Sequence, residues 1–258
     1  MHFAFLGTSG AIPSLERDTT SLVFVGPGQC VLVDCGGSPV QKLLRAGVDP
    51  TSLVRVIITH LHPDHAYGLP SLLQNLSLMG REAPLAISCR PEHAEPLRAL
   101  IDLFGLWQRP GMFPLLLEPV PPRDAAPVAR AAGFAITASP VAHGQMPNMA
   151  LRFAHPATGR VVVYSSDTEP CDAVVALASG ADTLIHEATF PERDRGRFGA
   201  HSTGAEAGEI AARAGVRRLL LTHIEADYHA EVEALAAEAR KRFPGPVEIA
   251  REFVPYPL

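Results

Sequence analysis

The chain has 258 residues, 47% of them hydrophobic and 19% charged, enough to bury a sizeable core and to exclude wholesale disorder. Its 22 basic and 27 acidic side chains leave a net charge of −5, with Lys42 and Lys241 as the only lysines, which argues against a dominant nucleic-acid footprint. Four cysteines without a CxxC pair fit reduced thiols, and the N-terminus lacks a signal-peptide pattern. No apolar run reaches the roughly 18 residues of a membrane span, so a cytoplasmic protein is expected.

His2 to Leu6, Ser21 to Val25 and Cys30 to Asp34 read as strands of a meander, the last two joined by Gly26-Pro27-Gly28. A short helix over Val40 to Arg45 precedes a β-branched strand, Leu53 to Ile58, and a helix from His65 to about Leu78. Strand patterns follow at Leu85 to Ser88, Phe134 to Ala138, Met149 to Phe153, Val161 to Tyr164, Thr183 to Ile185 and Arg218 to Thr222. Pro91 to Phe104, Cys171 to Ala178, Thr203 to Ala214 and Glu231 to Arg242 read as helices. Meanders followed by strands alternating with helices predict two packed sheets flanked by helices. Residues 1–258 show no dividing linker and read as a single domain. Gln108 to Arg130, with six prolines, is the candidate long loop or lid.

The most informative stretch is His60-Leu61-His62-Pro63-Asp64-His65, directly after a predicted strand. Positions 60 and 62 point the same way on an extended segment, while 64 and 65 fall at the next helix start, so one loop can serve two adjacent metals. His143, Asp167 and His223 also stand just beyond predicted strands, making seven donors that can converge on one sheet edge. Imidazole and carboxylate donors without a thiolate suit zinc best, and manganese or iron would also be accepted. Two divalent cations with Asp64 and Asp167 leave a positive centre suited to an anion, and phosphodiester hydrolysis is the natural reaction class.

The order HxHxDH, His143, Asp167, His223 resembles the metallo-β-lactamase superfamily. Phe5-Leu6-Gly7-Thr8-Ser9-Gly10-Ala11-Ile12-Pro13, Val33-Asp34-Cys35-Gly36, His186-Glu187-Ala188-Thr189-Phe190 and His201-Ser202-Thr203 are similar to segments of its ribonuclease Z-like branch. The resemblance runs from residue 3 to about 223 and implies an αββα sandwich of two mixed β-sheets flanked by helices. It further implies that His60, His62 and His143 hold one zinc, that Asp64, His65 and His223 hold the second, and that Asp167 bridges them. His201 is then the general acid and Glu187 its orienting partner, so that Asp64, His201 and Glu187 carry the catalytic roles. A homodimer is left open from related families.

The chain departs from ribonuclease Z proper in lacking a recognisable basic arm. Across Gln108 to Arg130, Arg109, Arg123 and Arg130 against Glu118 and Asp124 give only +1, too little for strong phosphate clamping. The expected function is therefore a dinuclear zinc phosphodiesterase on small or modest-sized diesters, with hydroxide generated at the metals. Nucleic acid is a disfavoured partner in this reading. The alternatives are a transfer RNA 3′-end endonuclease, an ester, lactone or sulfate hydrolase, and a non-catalytic metal-binding protein.

Overall fold

A computed structural model describes residues 1–197 and 199–258. One sheet has the order β14 (Pro255–Pro257), β1 (His2–Gly7), β2 (Ser21–Gly26), β3 (Gln29–Val33), β4 (Leu53–Ile57), β5 (Leu85–Cys89), β6 (Leu115–Pro119). The other runs β13 (Val247–Ile249), β12 (Arg218–Thr222), β11 (Thr183–Glu187), β10 (Val161–Tyr164), β9 (Asn148–Ala154), β8 (Phe134–Val141), β7 (Ala126–Ala131). Each sheet is parallel over one half and antiparallel over the other.

Alternation along the strands explains the two-faced burial. Phe24, Val31 and Val33 face inward to meet Phe134, Leu151, Phe153 and Tyr164 of the opposite sheet. Phe24 and Phe153 stack with centroids 3.6 Å apart. The intervening Val23, Cys30 and Leu32 face outward, under α1 (Pro39–Arg45), α3 (Leu69–Leu78) and α4 (Ala94–Leu103). On the far side α5 (Asp172–Ala178), α6 (Gly204–Ala214) and α7 (Val232–Arg240) cover Val163, Leu184 and Leu219. Strands covered on both faces need continuous apolar runs, as these sequences show. The αββα expectation holds.

Helix α6 begins at Thr203 with a capping box, its hydroxyl accepting from Glu206 N while the Glu206 carboxylate accepts from Thr203 N, and it ends at a left-handed Gly215. Its glycines let α7 approach closely: a Cβ on Gly204 would lie 2.5 Å from Leu235 O, and one on Gly208 2.5 Å from Ala239 O.

Two sequence expectations need correction. The predicted helix from His65 to Leu78 is two, α2 (Pro63–Ala66) and α3, because Gly68 N donates to Cys35 O at 2.7 Å instead of extending the first helix. Pro70, which has no N–H, sits in the first turn of α3. The proline-rich stretch from Gln108 to Arg130 is not a long loop, since it contains β6 and β7, the outermost strands of the two sheets, where proline is tolerated. Nearby, Phe113 is buried while Trp107 and Met112 pack against the outer core. Among the described residues, no helix is long and apolar enough to cross a membrane.

Candidate metal centre and its hydrogen-bonded supports

The C-terminal ends of β3, β4, β8, β10, β11 and β12 all open on one edge of the sandwich, and the seven candidate donors stand just past four of them. His60, His62, Asp64 and His65 follow β4, while His143, Asp167 and His223 follow β8, β10 and β12. The turns there are tight. Asp34 after β3, Ser166 after β10 and His223 after β12 have φ of 58°, 55° and 55°, left-handed conformations that cost a non-glycine residue of order 1–3 kcal/mol each.

The donors fall into two groups sharing Asp167: His60, His62, His143 and Asp167, then Asp64, His65, Asp167 and His223. In the first, His62 Nδ1 lies 3.1 Å from both His60 Nε2 and His143 Nε2, and His60 Nε2 lies 3.6 Å from Asp167 Oδ2. In the second, His65 Nε2 is 3.2 Å from Asp64 Oδ2 and from Asp167 Oδ2, and His223 Nε2 is 3.1 Å from Asp167 Oδ2 and 3.7 Å from Asp64 Oδ2. Four donors about 2.0–2.2 Å from a tetrahedral zinc stand about 3.3–3.6 Å from one another, so both groups have the right size. His65 Nε2, His223 Nε2 and Asp167 Oδ1 are buried and make no hydrogen bond. Orphaned polar atoms are costly unless something else satisfies them, and a cation at each group would do so.

Electrostatics divides the two groups. Burial, the leading cause, holds His60, His62 and His143 below the ordinary imidazole value, leaving neutral nitrogens able to ligate. Burial also opposes charge on His65 and His223, but the surrounding carboxylates, Asp167 first, with Asp34 for His65 and Asp64 and Glu187 for His223, outweigh it and raise both. Positive charge is therefore drawn to the second group.

Most of these rings are held from behind. His65 Nδ1 donates to Asp34 Oδ2 at 2.9 Å and His143 Nδ1 to Ala200 O at 2.7 Å, which aims each Nε2 at the cluster. Thr59 N and Oγ1 donate to Asp34, and Ser166 Oγ donates to Thr59 Oγ1, so loops from the two sheets are tied beneath the site. Gly36 packs so closely on the Asp64 carbonyl that a Cβ there would come within 2.1 Å of it. Asp34, Thr59 and Ala200 were given no role from sequence. The signal for Asp34 was its place in the Val33-Asp34-Cys35-Gly36 segment at the end of an apolar strand, which did not by itself give it a role.

His201 and Glu187 come together as expected. His201 Nδ1 donates to Glu187 Oε1 at 2.8 Å, and the fully buried carboxylate also accepts from Thr168 N and Ser202 N. Burial alone would raise Glu187, but the His201 charge and hydrogen bond outweigh it and hold it below the ordinary carboxylate value. The same pair acts on the ring: burial lowers it, Glu187 raises it more, and the imidazolium is stabilised. His201, His62 and His143 line an open cleft of about 470 Å³ with Gln145, Met146 and Pro147. The arginines of the Glu192 to Arg197 loop are engaged with acids. Arg193 pairs with Glu231 at 2.5 Å, Arg195 with Glu206 at 3.1 Å and Arg197 with Asp227 at 3.1 Å.

A sandwich with paired imidazole and carboxylate groups at one edge defines the class: a metal-dependent hydrolase. The family described as Beta-lactamase superfamily domain matches residues 29–224. Ribonuclease Z of Methanothermobacter thermautotrophicus is 32% identical over an alignment covering 95% of this chain and 92% of the relative. The metallo-β-lactamase fold protein YhfI from Bacillus subtilis is 27% identical, with a TM-score of 0.82 over 99% of this chain and 98% of that one. Human tRNase Z, short form, at 24% identity, shares the fold with a TM-score of 0.82 over the full length of both chains. The chain belongs to the β-lactamase superfamily and, within it, to the ribonuclease Z family.

The relatives overturn the preference for a small-molecule substrate over nucleic acid, because several that this chain covers almost end to end are named Ribonuclease Z. The charge argument failed because it sampled residues 108–130, which hold β6 and most of β7, and none of them lines the cleft beside the cluster. The alignment with the Methanothermobacter relative is also gapped. It is 292 positions long yet takes in 95% of 258 residues, about 245, so about 47 positions of that relative face no residue here.

Proposed function

We propose that this protein is a ribonuclease Z-type endonuclease that cuts transfer RNA precursors at the 3′ side, acting as one domain in the cytoplasm with two zinc ions. The observation that carries this reading is the agreement between relatives named Ribonuclease Z and the seven-donor cluster with its neighbouring His201–Glu187 pair. Four free cysteines suit a reducing compartment. His60, His62 and His143 would hold the first ion, Asp64, His65 and His223 the second, and Asp167 would serve both. When bound, such a pair makes water nucleophilic at neutral pH and stabilises charge developing on the phosphoryl oxygens.

The chain's own residues supply the rest. Glu187 fixes His201 Nδ1, leaving Nε2 to hand a proton to the departing ribose oxygen, a service worth roughly 10²- to 10⁴-fold in rate. The Ala200 carbonyl holds His143 while the next residue would supply the acid, so ligand and proton donor share one wall of the cleft. With about 47 positions of the relative unmatched and no basic arm recognised in the sequence, this reading has the RNA gripped by the body of the sandwich.

The test is incubation of zinc-loaded protein with a 3′-extended precursor transfer RNA over a salt series, with the cut mapped at nucleotide resolution. One major cut at the 3′ side is expected, weakening steeply between 50 and 200 mM salt if about six or more phosphates are contacted. Turnover of bis-p-nitrophenyl phosphate without any cut in the precursor would overturn the reading.

A further inference from the structure

Thr189 lies two residues beyond Glu187 and is buried. Its hydroxyl oxygen stands 2.7 Å from Glu187 Oε2, 3.1 Å from His223 Nδ1 and 3.2 Å from His201 Nδ1. A hydroxyl has one hydrogen to give and two lone pairs to receive with. An ionised carboxylate can only accept, and Glu187 is the nearest neighbour, so the Thr189 hydrogen goes there. Toward His223 the oxygen is then an acceptor, and His223 Nδ1 must carry the hydrogen. With a cation bound at the second group, His223 Nε2, which makes no hydrogen bond and faces Asp64 and Asp167, is then the nitrogen left to ligate.

We propose that Thr189 is a positioning residue whose single hydroxyl sets the His223 tautomer and ties that ring to the carboxylate that orients His201. Cation binding at the second group and proton delivery to the leaving oxygen are thereby coupled through one side chain. The proposal rests on His223 being a ligand and His201 the acid. The same device recurs in the other half of the sandwich. Thr59 Oγ1 lies 3.0 Å from both Asp34 oxygens and 3.2 Å from His60 Nδ1, again a threonine between a buried carboxylate and the rear of a donor ring. Removal of an outer hydrogen-bond partner typically weakens a metal by 10- to 100-fold.

The experiment compares wild type, Thr189→Val and Thr189→Ser. Valine keeps the shape and removes the hydroxyl, while serine restores it. Zinc affinities are read by competition with a chromophoric chelator, and kcat is measured on diesters with good and poor leaving groups. Thr189→Val should weaken one of the two zinc ions by about 10- to 100-fold and lose more kcat on the poor leaving group, with Thr189→Ser recovering both. Unchanged zinc affinity in Thr189→Val, or no recovery with serine, overturns the proposal. Should the valine variant fail to fold, nitrogen NMR of the zinc-loaded wild type decides: hydrogen on His223 Nδ1 is expected, and hydrogen on Nε2 overturns it. A wild type that binds no zinc sinks the metal reading, whereas a zinc-loaded, active wild type with an indifferent Thr189→Val sinks only this inference.

Discussion

Glu187 Oε1 and His201 Nδ1 face each other at 2.8 Å across 14 residues of sequence, with the carboxylate fully buried and the ring opening on the cleft. In the proposed mechanism this contact makes His201 the proton donor and fixes which nitrogen gives the proton. His201→Ala should keep the zinc ions and lose roughly 10²-fold or more in kcat on a diester with a poor leaving group, and much less on a p-nitrophenyl diester. Glu187→Gln keeps an acceptor but not the charge, so a loss on the order of 10-fold is expected on the poor leaving group. Equal losses on both substrates would remove His201 from the acid role.

Metal content is predicted at about two ions per chain, because the donors form two groups with one shared aspartate. Elemental analysis of chelator-free protein checks this, and a value near one that zinc addition does not raise would contradict it. At about 100 times its dissociation constant each ion stabilises by about 2.7 kcal/mol. Chelation should then lower Tm by roughly 5–10 °C per ion in a chain of this size.

Lys42 supplies a stability test away from the cluster. Its ammonium is buried, donates to Gly36 O at 3.1 Å and Thr19 O at 3.3 Å, and pairs with Asp18 at 3.1 Å. Lys42→Met keeps the stem but strands those carbonyls, and should cost about 1–3 kcal/mol in urea unfolding with an unchanged m-value. Gly36 packs on the Asp64 carbonyl, so zinc affinity should fall with it.

Gly208→Ala should act on packing alone. The added methyl would meet Ala239 O at 2.5 Å, forcing α6 and α7 apart at a cost of about 1–3 kcal/mol. Calorimetry should show a lower Tm with zinc stoichiometry unchanged.

The donors were legible because each stands at the end of an apolar run: β4 before His60, β10 before Asp167, β12 before His223. The strand period places the run, and the first polar residues beyond it reach the sheet edge. The supports were not legible. Thr59, Thr189 and Ala200 act through contacts with residues up to 107 positions away, and nothing in a threonine or an alanine signals that in sequence. β13 and β14, three residues each, are too short to show a period. β6 and β7 were hidden by prolines, which mark turns in most contexts and are silent at a sheet edge.

The crossing from β6 to β7, residues 120–125, divides the centre between two lengths of chain. Residues up to 119 carry His60, His62, Asp64 and His65, and those from 126 onward carry His143, Asp167 and His223. Cutting the backbone in this segment gives two pieces, each with an unfinished ligand group and one bare apolar sheet face. The later piece also carries β14, which pairs with β1 of the earlier one and gives the two a strand-to-strand stitch as well as a shared core. Co-expressed, such pieces should form a split enzyme, with metal-dependent hydrolase activity expected only when both are present and metal addition expected to tighten their association.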